Sequence, residues 1–127
     1  MKKKILIIDD DISLCEELED ILIDEEYSVD KVFNGKEALS ILTDKNYDLI
    51  ILDLKIPEID GFEILNFFLN KKINFKIIIL SGSPVKSKKF GLDKEKKILL
   101  NKADEYINKP FDIKKLLLNI NKLLDKK

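Results

Sequence analysis

The sequence predicts a three-layer α/β fold built on a doubly wound, five-stranded parallel sheet. Two observations support this prediction: short β-branched runs alternate with longer segments of helical period, and three of the runs are apolar throughout. A strand that is apolar on both sides is typical of a parallel sheet with helices on both faces. The sequence therefore indicates repeated βα units.

Five runs are predicted to be strands, at residues 5–8, 28–33, 49–52, 77–80 and 106–107. The first, third and fourth are the apolar ones, and each is expected to be covered by helices on both sides. The second run alternates between polar and apolar residues, which favours a position at an edge of the sheet.

Helices are predicted over residues 12–25, 36–44, 61–71 and 112–126, with a further helix somewhere in 88–103. The last helix is the clearest, and Asp112 after Pro110 is its predicted N-cap. One face of this helix is expected to pack on the sheet, because its apolar residues keep the i, i+3, i+4, i+7 spacing: Ile113, Leu116, Leu117, Ile120, Leu123 and Leu124.

The bulk composition allows one domain and argues against several classes of function. A chain of 127 residues, 45% of them hydrophobic, can form one core, so residues 1–127 are predicted to be a single domain. Its 23 basic and 24 acidic residues nearly cancel, which predicts binding neither to nucleic acid nor to a membrane. The first apolar run ends at Asp9, too early for a signal peptide, and Cys15 is predicted to be a small buried residue of the first helix. The chain is therefore expected to be cytoplasmic and free of disulfides.

Reactive side chains follow four of the predicted strands, at the point where each strand ends. Asp9 and Asp10 follow the first strand, Asp53 the third, Ser81 the fourth and Lys109 the fifth. Ligands of an open parallel sheet bind beyond the carboxyl ends of its strands. In the strand order 2-1-3-4-5 of a flavodoxin-like three-layer sandwich, these four ends are neighbours. The switch point between strands 1 and 3 then brings the three aspartates into one cleft.

Three carboxylates in one cleft require positive charge, because two of them about 4 Å apart repel by roughly 4 kcal/mol at an effective dielectric of about 20. Lys109 supplies one charge. Mg²⁺ best supplies the rest, since it binds carboxylate oxygens and leaves room for phosphate oxygens. The cleft is therefore predicted to accept a phosphoryl group, with Asp53 as the nucleophile and Ser81 as a hydroxyl that orients one phosphoryl oxygen.

These residues resemble those of the response-regulator receiver domain of two-component signalling, and the resemblance covers essentially the whole chain. Asp9 and Asp10 are similar to the family's acidic pair, Asp53 to its phosphoacceptor and Ser81 to its hydroxyl residue. Three further stretches are similar to other recurrent motifs of the family: residues 34–39, 57–63 and 109–111.

The resemblance implies a division of labour in the cleft. Asp10 and Asp53 would bind Mg²⁺ directly, with the backbone carbonyl of Lys55 as a third ligand and Asp9 acting directly or through water. A histidine kinase or a histidine phosphotransferase would donate the phosphoryl group to Asp53. Lys109, which in this family precedes a cis proline, would then pair with the phosphoryl oxygens. Such a domain is not a conventional enzyme, since it promotes only its own phosphorylation and dephosphorylation.

The resemblance also implies a switch. Ser81 would move toward the phosphoryl group and Tyr106 would turn inward, which would alter a surface made of the helix predicted within 88–103, the last strand and the last helix. A downstream protein target would bind that surface, and the chain would be a monomer or a phosphorylation-dependent dimer. An ordinary position in the core or at its rim is an equal alternative for Tyr106.

Simpler roles are open for several of these residues. The acids at 9–11 could favour the positive end of the first helix, which is the preferred role for Asp11. Asp53 could end a strand, Ser81 could cap a turn, and Lys109 could be a solvated lysine before a proline.

The chain departs from the usual pattern of the family between Ser81 and Lys109, where it is longer by roughly six residues. A helix from about 92 or 93 to 102 is predicted there. Gly82 replaces a common alanine, which leaves more access to the phosphate. Lys55, two residues after Asp53, is expected to alter the lifetime of the phosphorylated state.

Two other classes of protein share part of the pattern. A flavin- or nucleotide-binding module needs a phosphate loop rich in Gly, Ser or Thr after strand 1, where this chain has three aspartates. An aspartyl-phosphate phosphatase usually has a second aspartate at the position of Lys55.

No output domain is expected after the last helix, so the signal would pass to a separate target or along a phosphorelay. A domain excised from a larger regulator would look the same.

Overall fold

A computed structural model describes residues 2–55, 61–70, 75–82 and 101–125 of the chain, without the side chains of residues 68, 69 and 81. Within these ranges the strands are β1 (Lys4–Ile8), β2 (Ser28–Val32), β3 (Leu49–Asp53), β4 (Lys76–Ser81) and β5 (Glu105–Asn108). The helices are α1 (Ile12–Asp24), α2 (Gly35–Asp44), α3 (Gly61–Asn70) and α4 (Ile113–Leu123).

The five strands form one parallel sheet in the order β2-β1-β3-β4-β5. The predicted fold class and strand order are therefore confirmed, and β2 lies at an edge as its alternating sequence indicated. The register pairs Ile8 with Leu52, Asp53 with Leu80 and Ser81 with Asn108. The carboxyl ends of β1, β3, β4 and β5 consequently lie side by side, and they form the edge at which the candidate site is built.

Alternate residues of the central strands face two separate cores. Ile5 and Ile7 of β1 pack in one cluster with residues of α1 and α4, whereas Leu6 and Ile8 pack in the other with residues of α2 and α3. Cys15 of α1 is fully buried in the first cluster, as its spacing predicted. Because both faces of the sheet are covered, the ends of β1 and β3 are shielded from water on two sides.

Side-chain caps fix where the helices of the first cluster begin. Asp11 accepts the N–H of Leu14 at 3.1 Å and starts α1 immediately after the end of β1. Asp112 accepts the N–H of Lys114 at 2.9 Å, which confirms it as the N-cap of α4. The simpler role considered for Asp11 is therefore observed, and the cap turns the chain sharply beside Asp9 and Asp10.

Part of the prediction lies outside the described residues. The helix predicted from about 92 to 102 falls almost wholly on residues 83–100, and most of the 57–63 motif falls on residues 56–60. Among the described segments, no helix combines the length and the apolar character needed to cross a lipid bilayer.

Candidate metal centre

The adjacent ends of β1 and β3 bring three aspartates together. Asp9, Asp10 and Asp53 each offer a carboxylate oxygen, and these oxygens all lie within 4.8 Å of one another. Asp9 is fully buried and Asp53 is 5% exposed, whereas Asp10 is open to solvent. The cluster is thus closed on the protein side and open at Asp10.

Lys109 reaches this cluster from the loop after β5. Its Nζ lies 2.7 Å from Asp9 Oδ2 and 3.3 Å from Asp53 Oδ2. The bond from Lys109 to Pro110 is cis, in agreement with the family's pattern. One ammonium therefore bridges the two buried carboxylates, and when all four side chains are ionised the group retains two negative charges.

Backbone N–H groups hold the other oxygen of each buried carboxylate. Asp9 Oδ1 accepts the N–H of Asp11 at 3.0 Å, and Asp53 Oδ1 accepts the N–H of Lys55 at 3.0 Å. Cys15 Sγ donates to the carbonyl oxygen of Asp9 at 3.4 Å from the core side. Both carboxylates are consequently fixed in orientation before any ligand binds.

The electrostatics of the cluster favour an added cation. Burial raises the pKa of the Asp53 carboxyl above its ordinary value, and the charge of Asp9 raises it further, against the opposing effects of the Lys55 N–H and Lys109. Burial alone would lower the pKa of the Lys109 ammonium, but its contacts with Asp9 and Asp53 outweigh burial and raise it. An all-oxygen donor set with excess negative charge fits a hard dication such as Mg²⁺.

The start of α3 lies against the backbone that follows Asp53. A Cβ atom at Gly61 would lie 2.6 Å from Leu54 Cα and 2.8 Å from Leu54 O, so only glycine fits there without a shift. The N–H of Gly61 donates to Leu54 O at 3.2 Å. In the sequence, Gly61 is distinguished only as part of the 57–63 motif. Its role in holding the turn after Asp53 depends on a tertiary distance that spacing does not reveal.

The remaining predicted residues lie on or directly after the strands β3, β4 and β5. Ser81 ends β4 beside Asn108, and its side chain lies outside the described set. Lys55 is exposed and contacts Asp53 through its backbone N–H. Gly82 is exposed, and a Cβ atom there would meet nothing within 4 Å. Tyr106 on β5 is 37% exposed.

Fold and site together define an α/β domain that can hold a divalent cation at the carboxyl edge of a parallel sheet. The chain belongs to the response regulator receiver domain family, whose model matches residues 5–121. It is therefore a receiver domain of two-component signalling, a class of domain that is phosphorylated on aspartate and is not a conventional enzyme.

Comparison with known proteins agrees with this assignment. The response regulator ArlR of Staphylococcus aureus is 40% identical over 121 residues, which make up 95% of this chain and 52% of that protein. The chain thus spans about half the length of the curated relatives it matches.

Solved structures show the same fold. A CheY-like response regulator receiver domain protein from Methanospirillum hungatei is 30% identical with a TM-score of 0.84, over 99% of this chain and 96% of that one. The response regulator protein TrrA from Thermotoga maritima, solved in complex with Mg²⁺-BeF, is 36% identical with a TM-score of 0.78, over 97% and 99% of the two chains.

Proposed function

We propose that Asp53 accepts the phosphoryl group, and that the donor is the phosphohistidine of a histidine kinase or a histidine phosphotransferase. The observation that supports Asp53 is its place at the centre of the site. It ends the central strand β3, its carboxylate lies within 4.8 Å of those of Asp9 and Asp10, and Lys109 contacts it at 3.3 Å. In the transfer, an Asp53 oxygen forms a bond to phosphorus while the P–N bond breaks, and the electron pair of that bond remains on the donor histidine.

The contacts of Asp53 support its role as a nucleophile. The N–H of Lys55 holds Oδ1, so the carboxylate does not need to be ordered during the reaction. Lys109 already lies between Asp9 and Asp53, where it can neutralise a phosphoryl oxygen after a short movement. We assign the Ser81 hydroxyl to another phosphoryl oxygen, because β4 ends beside β3 at this edge.

We propose Asp9, Asp10, Asp53 and the backbone carbonyl of Lys55 as the protein ligands of Mg²⁺. When bound, this ion would neutralise charge that accumulates on the phosphoryl oxygens. The acidic cluster has the oxygen donors that Mg²⁺ prefers, and the exposure of Asp10 leaves a side for the waters that this ion keeps. The complex of TrrA with Mg²⁺-BeF is consistent with this choice of ion.

We further propose that phosphorylation alters the surface formed by β5, α4 and the helix predicted within 92–102, to which a downstream protein binds. One hydrogen-bonded ladder joins this surface to the site, since Ser81 pairs with Asn108 and Ile79 pairs with Tyr106. Tyr106 is 37% exposed, so inward rotation of its ring would change the surface that a partner meets.

Intact mass spectrometry after incubation with phosphoramidate and Mg²⁺ tests the acceptor with a small donor that carries the P–N bond of a phosphohistidine. The native chain should gain one phosphoryl group and Asp53→Asn should gain none. Asp48→Asn is the matched control, because Asp48 precedes the same strand at its other end, and it should be labelled like the native chain. Equal labelling of native and Asp53→Asn chains would refute the assignment of Asp53.

A further inference from the structure

The outer surface of α1 is acidic. Helix α1 contains five acidic residues and no basic one. Three of the acidic residues, Glu17, Asp20 and Asp24, are exposed and keep the i, i+3, i+7 spacing of a single helix face. We refer to these three residues as the acidic stripe.

The outer surface of α4 has the opposite charge. Lys114, Leu118 and Lys122 are exposed at i, i+4, i+8 spacing, and α4 contains no acidic residue. Leu118 lies in the middle and is 67% exposed, which is the highest value among the large exposed apolar residues in the described part of the chain. We refer to these three residues as the basic stripe.

The two helices lie side by side and run in the same direction. Near their starts, Leu14 of α1 and Ile113 of α4 line the same pocket. Near their ends, Asn121 of α4 donates to Glu25 Oε1 at 3.3 Å. Both helices pack on the same face of the sheet. The acidic and basic stripes are therefore parallel neighbours on one surface.

Within the described residues, no ion pair uses the charges of either stripe. Among the residues that the structure describes, the ion pairs involve the ammonium groups of Lys31, Lys45 and Lys109. No ion pair in this part of the chain includes a residue of either stripe. The stripes can consequently pair with charges of another molecule without breaking an ion pair of the described residues.

We propose that this surface binds a second copy of the same chain, with the acidic stripe of each copy on the basic stripe of the other. A two-fold axis that lies in the plane of the surface, between the two helices and parallel to them, places α1 of one copy parallel on α4 of the other. The stripes match in length, since seven and eight helical residues extend about 10 and 12 Å. A wholly basic or wholly acidic partner would attract one stripe and repel the other, whereas a second copy complements both.

The proposed dimer is weak and sensitive to salt. Pairs between exposed lysines and carboxylates contribute little each, and salt screens them. Leu118 adds a small apolar contact at the centre of each basic stripe. Sedimentation velocity on the full chain should show a dimer at about 0.01 M salt whose dissociation constant rises about tenfold or more at about 0.5 M salt.

Charge reversal tests whether the stripes pair with each other. Lys114→Glu/Lys122→Glu makes both stripes acidic, and Asp20→Lys/Asp24→Lys leaves Glu17 as the one acidic residue of the two stripes. Each double variant should be monomeric alone, and an equimolar mixture of the two should form a heterodimer. A control double variant, Lys36→Glu/Lys76→Glu, has the same net charge as the first but leaves both stripes intact. It should dimerise like the native chain, and its mixture with Asp20→Lys/Asp24→Lys should not gain a heterodimer.

Several results would overturn the proposal. A native chain that stays monomeric at low salt up to millimolar concentration would assign the two stripes to separate partners. Dimers that persist in both reversal variants would place the interface elsewhere. If the control mixture associated as strongly as the complementary mixture, net charge rather than the arrangement of the stripes would explain the association. Circular dichroism of each variant establishes that the compared chains are folded.

Discussion

Aspartates lie at both ends of the sheet, and the groups that satisfy them differ. At the amino end, Asp48 Oδ2 accepts the N–H of Lys4 at 2.7 Å and Asp104 Oδ2 accepts the N–H of Ile77 at 2.8 Å. At the carboxyl end, Asp9 and Asp53 share Lys109 and lie within reach of a third carboxylate. Aspartates therefore link strands at the amino end of the sheet, whereas at the carboxyl end they form a cluster of negative charge.

The difference follows from the geometry of a parallel sheet. N–H groups near the start of a strand need acceptors, and a nearby carboxylate can supply one. Asp48 and Asp104 each accept one such N–H group. At the switch point the ends of β1 and β3 are adjacent, so their carboxylates meet one another and require a cation. Substitutions at the amino end should thus change stability alone, whereas those at the carboxyl end should also change the response to Mg²⁺.

The largest effect is expected from Lys109→Met. In the absence of divalent cations this change should lower the free energy of unfolding by about 3 kcal/mol, because it leaves two buried carboxylates without their counter-charge. Urea unfolding with and without Mg²⁺ measures the loss, and saturating Mg²⁺ should restore part of it.

The matched control for that prediction is Lys45→Met. Lys45 contacts Asp30 at 3.6 Å, and both side chains are largely open to water, so the loss should stay below about 1 kcal/mol and should not respond to Mg²⁺. If Lys109→Met cost no more than Lys45→Met, the two buried carboxylates would not depend on Lys109 for their counter-charge.

An intermediate effect is expected at the amino end. Asp104→Ala removes the acceptor of the Ile77 N–H, and Ile77 is buried, so the free energy of unfolding should fall by about 1 to 2 kcal/mol. Asp104→Asn keeps an acceptor oxygen and should lose less. Urea unfolding measures both changes, and Mg²⁺ titration should give the same midpoint as for the native chain. A shift of that midpoint would show that the amino end is coupled to the acidic cluster.

The sequence was sufficient to predict most of the fold and the composition of the cluster. Apolar runs and helical periods are local signals, so the limits of β1, β3 and β4 were predicted to within one residue at each end. Because the site is built where strands end, correct strand ends also placed Asp9, Asp10, Asp53 and Lys109 at one edge.

Other features could not be predicted, because they depend on distances between segments that are remote in sequence. Two of the three aspartates are buried and one is exposed, and this difference depends on how the rest of the chain packs around them. The approach of Gly61 to Leu54 requires the position of α3. The last helix ends at Leu123 rather than at 126, since Leu124 is its cap and Asp125 takes a positive φ of 56°. The role of Asp48 as an acceptor for a strand N–H did have a signal in the sequence, because this acid directly precedes a buried strand.

The smallest effect expected is a gain in stability at the carboxyl end. Without divalent cations, Asp53→Asn should raise the free energy of unfolding at neutral pH by on the order of 1 kcal/mol, because it removes one of the mutually repelling charges. Lys109 keeps its 2.7 Å contact with Asp9 in this variant. Asp48→Asn, at the amino end, should give no such gain.

The pH dependence of this gain identifies its cause. Burial raises the pKa of Asp53 above its ordinary value of 3.8. A carboxyl group of this kind supports folding fully below its unfolded pKa and loses that support as the pH rises through its folded pKa. The advantage of Asp53→Asn over the native chain should therefore grow from near zero at acid pH to its full size at neutral pH, in urea unfolding at a series of pH values. A gain in the free energy of unfolding that stayed constant across this pH range would instead indicate a change in packing. Repulsion between ionised carboxylates at the carboxyl end would then not be its cause.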